Sequence, residues 1–366
     1  MAILLREQTQ ELHSASVRQP TTTKPPVTKP RLLIIELWGL GDLLIGTTFL
    51  RAATEKYEVT LVAKPYAKEL QPVFWPGVTV LPFIAPWTAF HGKYRLLRWP
   101  WPEMIRLGGV IRSARFDIGL SARWDPRDHF LLALGGAKKR LGFPRVGSRI
   151  FLTDPLVRPD PAAHRYESWR ALGKAIGLDL PPREQMPLPP RSGNKDRPIL
   201  IHTGAAQPIR VWPLENYQKL AARLRQKQYQ VQVVCDPDQR DWWLRNGESA
   251  VLTPHTVTEL LALVNQSSAF IGNDSGPGHL AACAGVPTFT IFGPQVPEWF
   301  APLHPSAHWV EGKACPYKPC SDSCRFKKPI CLIGWTEPEV WEHVQSFVAK
   351  MCSEKVHVPR DTRSSS

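Results

Sequence analysis

The sequence predicts an α/β protein built as two Rossmann-like halves that face each other across a cleft. Three observations carry this expectation. Short β-rich runs alternate with longer helical stretches, and the alternation occurs twice. A proline-rich, polar stretch separates the two series, and glycine-rich turns stand directly after strands. The length of 366 residues fits this, being too long for one ordinary core and suited to two domains of ~150 residues with tails.

The elements follow in order. Residues 1–30 are polar around Thr21-Thr22-Thr23-Lys24-Pro25-Pro26 and cannot bury enough surface to offset chain entropy, so they are expected to be disordered. Arg31-Leu32-Leu33-Ile34-Ile35 reads as a buried strand that runs through Gly39-Leu40-Gly41 into a helix from about Leu43 to Lys56. Val59-Thr60-Leu61-Val62 and Phe116-Asp117-Ile118-Gly119-Leu120 are further strands, giving a first domain over 31–185. The stretch 186–197 has linker composition. The pattern restarts with a strand at Pro198-Ile199-Leu200-Ile201 and a helix over 213–228. A strand at Tyr229–Val234, a helix at 256–266, a strand at Ala269-Phe270-Ile271 and a helix near 277–284 come next. Pro287–Phe292 closes the series in a second domain over 198–335, with a terminal helix at 336–350 and a disordered tail at 351–366.

Composition excludes some classes of protein. Hydrophobic residues make up 43% and charged residues 21%, and no apolar run approaches the ~18 residues of a membrane span. Met-Ala-Ile-Leu-Leu meets Arg6 and Glu7 too early for a signal-peptide core, which predicts a cytoplasmic chain. The net charge of +14 is unevenly placed: residues 31–190 carry 23 basic and 14 acidic side chains, residues 191–350 only 16 and 14. The positive potential therefore belongs to the first half, where it could steer an anionic partner. Nucleic acid is disfavoured, since the basic residues are spread among apolar segments and no recognition motif or stacking platform is present.

Three segments could carry chemistry. Gly39-Leu40-Gly41-Asp42 lies between a strand and a helix, where glycines allow a tight turn and the helix start favours negative charge. It lacks the third glycine of a dinucleotide fingerprint and is no P-loop; Asp42 as a simple helix cap is the plain alternative. Asp274-Ser275-Gly276-Pro277-Gly278-His279-Leu280-Ala281-Ala282 likewise leads from a strand into a helix whose free N–H groups could hold a diphosphate. There the alternative is a capped helix with a buried, hydrogen-bonded histidine. In Gly204-Ala205-Ala206-Gln207-Pro208-Ile209-Arg210-Val211-Trp212-Pro213, Arg210 either forks onto phosphate oxygens or is an ordinary surface arginine.

Taken with Gly41-Asp42, Thr47, Leu50-Arg51, Arg115-Phe116-Asp117, Leu134–Gly142, Val286-Pro287 and Phe292-Gly293-Pro294, these segments resemble glycosyltransferase family 9. That family comprises the ADP-heptose:lipopolysaccharide heptosyltransferases and their bacterial relatives. The resemblance spans about residues 31–348, and the Asp-Ser-Gly-x-x-His run is its specific element. It implies a GT-B fold with the acceptor on the first domain and a nucleoside-diphosphate sugar, ADP-heptose or similar, on the second. It also implies inversion at the sugar carbon with no cofactor or metal required. Asp42 then matches the general base, and Arg210, Thr203, Gly204, Asp274, Ser275, Gly276 and His279 the donor and phosphate site. Gly41, Thr47 and Arg51 match the acceptor side. The implied partner is an anionic glycolipid, met by peripheral contact with the inner face of the membrane. A nucleotide-sugar epimerase or hydrolase of the same fold, or a non-catalytic protein binding nucleic acid or an anionic surface, are the alternatives.

Four positions depart from the family pattern. Glu36 stands where a basic residue is usual, and Trp38-Gly39 where serine-like residues are usual, so the loop beside Asp42 is altered in charge and bulk. Gln239 occupies the place of an acid that meets the donor ribose. Cys315, Cys320, Cys324 and Cys331 fall as C-x4-C-x3-C-x6-C, which four-thiolate metal binding, plain thiols or a redox-sensitive pair would each satisfy. Residues 87–115 combine Trp87, Trp99 and Trp101 with Lys93, Arg95, Arg98, Arg106, Arg112 and Arg115 around apolar positions at near-helical spacing. That stretch suits either an anionic bilayer surface or a core-packing helix with a solvated face.

Overall fold

A computed structural model describes residues 29–89, 95, 97, 99–187, 197–320 and 323–353. The expected disordered segment 1–30 lies almost wholly outside the described residues, as do most of the linker 186–197 and of the tail 351–366.

The first sheet is formed by β1 (Arg31–Glu36), β2 (Glu58–Ala63), β3 (Val78–Pro82), β4 (Ile118–Ser121), β5 (Lys139–Gly142) and β6 (Asp154–Pro155). Its order is β3-β2-β1-β4-β5-β6, with every pair parallel. The second sheet contains β7 (Ile199–His202), β8 (Val231–Val234), β9 (Ala269–Asn273), β10 (Thr288–Ile291) and β11 (Ala307–Val310), in the order β11-β10-β9-β7-β8, again parallel. Parallel strands need covered faces, and the strand residues are correspondingly apolar on both sides: Leu32 to Ile35 and Ile199 to Ile201 are all buried.

The cover in the first domain comes from α1 (Leu40–Ile45), α2 (Thr47–Lys56), α3 (Ala67–Phe74), α4 (Trp101–Ser113), α5 (Pro126–Leu134) and α6 (Tyr166–Ala175). In the second it comes from α7 (Leu214–Gln226), α8 (Arg240–Arg245), α9 (Val257–Asn265), α10 (Gly276–Cys283), α11 (Pro297–Phe300), α12 (Ile330–Ile333) and α13 (Glu337–Ser353). Both sheets have a point at which the strand order reverses, between β1 and β4 in one and between β7 and β9 in the other. Ligands of open α/β sheets bind outside the carboxyl ends of strands at such points.

The helix expected over residues 43–56 is in fact two helices, divided at Gly46. The division has a packing cause. A Cβ on Gly46 would lie 2.8 Å from the Trp169 indole, so that indole sits directly on the backbone where one helix gives way to the next. The strand expected over 116–120 begins only at Ile118, because Arg115 takes a left-handed φ of 52° and re-aims the chain. The second series does not close at Phe292, for β11 adds one more strand beyond it. Strand β3, short and ending in proline at the edge beside β2, also lies beyond what the pattern predicts.

The two sheets are docked, not merely tethered. Helix α1 packs against α10, and Leu43, Leu44 and Ile45 share one buried cluster with Leu280, Ala281 and Val264. Glu69 of α3 accepts hydrogen bonds from the Thr258 N–H and hydroxyl at the start of α9 (3.0 and 3.1 Å). His164 Nε2 lies 2.9 Å from the Ala301 carbonyl.

Trp169 is 2% exposed and also meets Phe49, with ring centroids 5.1 Å apart. Truncation of a buried tryptophan to alanine costs about 3–5 kcal/mol. Trp169→Ala should therefore lower the urea midpoint substantially while leaving the denaturant slope unchanged, as equilibrium unfolding followed by circular dichroism would show.

Candidate active site

The carboxyl ends of β1 and β4 bring together a cluster of ionisable groups. Asp42 sits in the first turn of α1, where its Oδ2 accepts the Gly39 N–H (3.1 Å) and so caps the helix. Its Oδ1 accepts from Arg123 Nη1 at 2.8 Å, and both side chains keep 21% exposure. The cap is thus real, but it occupies one oxygen only. Arg123 follows β4, and its guanidinium also lies over the Trp38 ring, 4.6 Å from the centroid.

Behind this pair the acids are buried. Glu36, 2% exposed, accepts the Trp38 N–H at 3.1 Å. Burial, then the Asp42 charge, push its carboxyl up to about 8, against the pull of Arg123. Asp128 is fully buried, with Oδ1 taking the Trp87 indole N–H (3.0 Å) and Oδ2 that of Trp38 (3.3 Å). Burial raises it to about 7, helped by Asp125. Trp38 is therefore held from both ends, its carbonyl also accepting the Tyr66 hydroxyl at 3.1 Å. Lys64, just past β2, is held below the usual ammonium range by burial, while Asp42 and Glu36 counter that shift.

The second domain answers from across the cleft. A Cβ on Gly41 would lie 2.7 Å from His279 Cδ2, and one on Gly276 would lie 2.9 Å from Leu40 Cβ. Glycine at both places is what lets the first turns of α1 and α10 approach so closely. His279 is 6% exposed and held down to about 4 by burial, with Asp42 opposing and Arg210 reinforcing the shift. The imidazole is therefore neutral at pH 7. Arg210 Nη1 reaches the Asp274 carboxylate (3.2 Å) and carbonyl (3.4 Å), tying the loop after β7 to the loop after β9. Ser275 is the N-cap of α10, yet its hydroxyl turns back to the Asn273 carbonyl (3.3 Å) and no side chain caps the helix. Asp42, Gly41, His279, Gly276, Ser275, Asp274 and Arg210 thus converge.

Other expected residues lie elsewhere in the architecture. Thr203 is fully buried, its hydroxyl engaged by Gln239 Oε1 (2.7 Å) and the Trp243 indole N–H (3.3 Å). Its carbonyl takes Asn273 Nδ2 at 2.9 Å. Gln239 is itself 8% exposed and directs its amide N–H to the same Thr203 carbonyl (3.3 Å). A neutral amide suits this buried network of donors and acceptors, where a carboxylate would face desolvation. Gly204 abuts the Asp236 carboxylate, which leaves no space for a side chain. Thr47 is 5% exposed beneath α10, with Cys283 Sγ 3.7 Å from its hydroxyl. Arg51 donates Nε to the Phe74 carbonyl (3.0 Å), a tie between α2 and the end of α3. Among the described residues neither Thr47 nor Arg51 pairs with Asp42.

The four cysteines do line one small cavity, together with Ile209, Pro294 and Tyr317. Cys331 is pushed up to about 11, by burial first and then by Cys315 and Cys320. Among the described residues no three histidine, cysteine or acidic groups converge closely enough to hold a metal ion.

Sequence reasoning does not reach Arg123, Asp128 and Lys64. A signal exists, since Lys64 and Arg123 stand one and two residues past β2 and β4, where parallel strands deliver side chains to a site. Distance in sequence hides the convergence.

The Glu36 shift makes a testable statement about stability. Its folded value, about 8, lies above its unfolded value, 4.5, so the folded state holds the proton more tightly in between. The stability it contributes is fully present below about 4.5 and is lost as pH rises towards about 8. Glu36→Gln should flatten that part of the melting temperature against pH curve. If the wild-type and variant curves stay parallel from about pH 5 to about pH 9, burial does not hold Glu36 protonated.

Comparison with known proteins fits this geometry. The family model described as glycosyltransferase family 9 (heptosyltransferase) matches residues 104–330. Lipopolysaccharide heptosyltransferase 3 of Escherichia coli K12 is 33% identical over 110 residues, which is 28% of this chain and 32% of that protein. The aligned stretch thus spans about a third of that curated relative's length. A glycosyltransferase family 9 structure from Veillonella parvula superposes with a TM-score of 0.67 at 19% identity, over 89% of this chain and 99% of that one. E. coli heptosyltransferase WaaC, solved with ADP, superposes with 0.66 at 15% identity, over 87% and 99%. At such identities the superpositions establish the shared two-domain GT-B fold, while the family model covers more than half of the sequence. The chain belongs to glycosyltransferase family 9, the heptosyltransferase family.

Proposed function

We propose that this protein is an inverting glycosyltransferase that moves a sugar, heptose or a related one, from a nucleoside-diphosphate donor to a lipopolysaccharide-core or similar glycolipid acceptor. The observation that carries the reading is the opposition of Asp42 to His279 and Arg210 across the α1–α10 contact. A carboxylate there faces a part of the cleft where an uncapped helix start and a guanidinium can hold a diphosphate. The WaaC structure with ADP supports a donor of that chemistry in a chain of this fold.

The chemistry follows from the placement. The acceptor hydroxyl attacks the anomeric carbon while Asp42 takes its proton, using a lone pair left free by the bonds to Arg123 and Gly39. The new bond to the acceptor oxygen forms as the bond to the donor phosphate oxygen breaks, and the electron pair leaves with the nucleoside diphosphate. Attack from the Asp42 side and departure on the Arg210 side invert the configuration. Arg210 and the N–H groups at the start of α10 stabilise the charge that develops on the leaving phosphate, so the reading requires no metal ion. Neutral His279 fills the contact between the two without adding charge.

Helix α4 suits a peripheral contact with an anionic membrane surface. Only Ile111 of its apolar residues is fully buried, whereas Trp101, Ile105 and Val110 are 44%, 73% and 47% exposed beside exposed Arg106 and Arg112. Of the other tryptophans in this stretch, Trp87 belongs to the core, and Trp99 packs at a tilt between it and Trp101. Lys93 and Arg98 lie outside the described residues. No described helix is long and apolar enough to cross a membrane.

Two measurements test the reading. Asp42→Asn should lower kcat about 10²–10⁴-fold with ADP affinity preserved, and Arg210→Ala should weaken ADP binding about tenfold or more in calorimetric titration. Wild-type indifference to ADP, UDP and GDP alike would sink the transferase reading. Separately, Ile105→Asp should reduce co-sedimentation with phosphatidylglycerol vesicles and leave vesicle-free activity intact.

A further inference from the structure

Trp38 takes no part in the chemistry above, yet four contacts tether it. Its backbone N–H is accepted by Glu36 (3.1 Å) and its indole N–H by Asp128 (3.3 Å), while its carbonyl takes the Tyr66 hydroxyl (3.1 Å). The Arg123 guanidinium lies over its ring, 4.6 Å from the centroid. Position 38 is also one at which this chain departs from the family pattern, with an indole where serine-like residues are usual.

Arg123 is the group that holds Asp42, through Nη1 at 2.8 Å. It has a choice of partners, because Asp42, Glu36, Asp128 and Asp125 all lie close enough to act on its charge. Asp125 is taken by Arg127, at 2.6 Å. The other two competitors are engaged by Trp38 itself, Glu36 through the backbone N–H and Asp128 through the indole N–H. The second Asp128 oxygen takes the Trp87 indole N–H at 3.0 Å. A long, flexible arginine loses rotamer freedom when it is fixed, and stacking on an aromatic face offsets that cost. The Trp124 ring is farther from Arg123, at 5.8 Å, and already carries Arg158 (3.6 Å) and Arg165 (4.5 Å). The closer stack, on Trp38, is therefore the one that sets Arg123.

We propose that Trp38 is a positioning residue for the transfer reaction: by stacking on Arg123 and engaging the Glu36 and Asp128 carboxyls, it directs the guanidinium onto Asp42 and fixes the orientation of the base. The inference rests on Asp42 being the general base, as argued above. Arg123 holds one Asp42 oxygen and the Gly39 N–H the other, so the carboxylate plane is pinned at both ends and its free lone pairs keep one direction. With Arg123 released, only the Gly39 bond remains and the carboxylate turns about it. A misdirected base costs rate and spares donor binding, because Arg210 and the start of α10 belong to the other domain.

The test sets Trp38→Phe beside Trp38→Leu. Phenylalanine keeps an aromatic face for the guanidinium, whereas leucine fills space without one. Turnover is read as ADP released from ADP-heptose, with a heptose-bearing lipopolysaccharide core oligosaccharide as acceptor. Trp38→Leu should lower kcat about tenfold with donor KM and ADP affinity within about twofold of wild type, and Trp38→Phe should recover most of that loss. In an Arg123→Ala background the same Trp38→Leu change should cost nothing further. The ADP titration also reports that each variant is folded. A second readout needs no substrate: phenylglyoxal modification of Arg123, mapped by mass spectrometry, should run about threefold or more faster in Trp38→Leu than in wild type or Trp38→Phe. Equal behaviour of the two Trp38 variants in either readout, a donor-affinity loss matching the kcat loss, or losses that multiply with Arg123→Ala overturns the positioning role. Wild-type turnover that is absent, or that survives Asp42→Asn, refutes the transferase reading instead, and the Arg123 modification rates then decide the Trp38–Arg123 coupling alone.

Discussion

The close approach of α1 and α10 is the constraint on which the rest of this molecule depends. Each helix follows a strand at the point where its sheet reverses order, and each presents its first turn to the other. Gly41 against His279 and Gly276 against Leu40 set the spacing, and a Cβ at either glycine would require its neighbour to shift. Two helix starts facing one another concentrate partial positive charge, which favours an anion between them. The Asp42 side chain lies at this junction, bound to Arg123 and Gly39, and the diphosphate of the proposed donor would bring an anion to it. The same contact that joins the domains therefore brings the candidate site residues together.

Around this contact the first domain keeps an unusual electrostatic balance. Glu36 and Asp128 are buried with carboxyls raised to about 8 and about 7, while Arg123 serves Asp42. A protonated acid carries little desolvation penalty and can still accept a backbone N–H, as Glu36 does from Trp38, while Asp128 takes the Trp38 indole N–H. Placing an acid at position 36 thus keeps charge off the floor of the site. Asp42 and Arg123 then remain as the partly exposed ion pair of the candidate site. In the second domain the amide of Gln239 has the same logic, closing a buried network through Thr203, Asn273 and Trp243 without a net charge.

Residue order alone carries the parallel-sheet class, the repeated Rossmann-like pattern and the three loops that build the candidate site. Those features are local: an apolar run of five residues, a glycine turn, and a helix rich in small residues each declare themselves within a dozen positions. Asp42, Arg210 and His279 are legible because they lie in such segments. What each group does there follows only from the folded arrangement. Arg123 lies 81 residues from Asp42 in the chain, and His279 belongs to the other domain from Gly41, yet all of them meet.

The features that the sequence conceals are concealed for physical reasons. The split of one expected helix at Gly46 depends on the Trp169 indole, which arrives from α6. The burial of Thr47 depends on α10 closing over it, and the engagement of Thr203 depends on Gln239 and Trp243. The arginines around Trp124 are scattered from 123 to 165, and no periodicity links them. Local pattern encodes secondary structure because backbone geometry repeats every two or ~3.6 residues. Charge pairing, burial and pKa depend on distances through space, which only the docking of two sheets fixes.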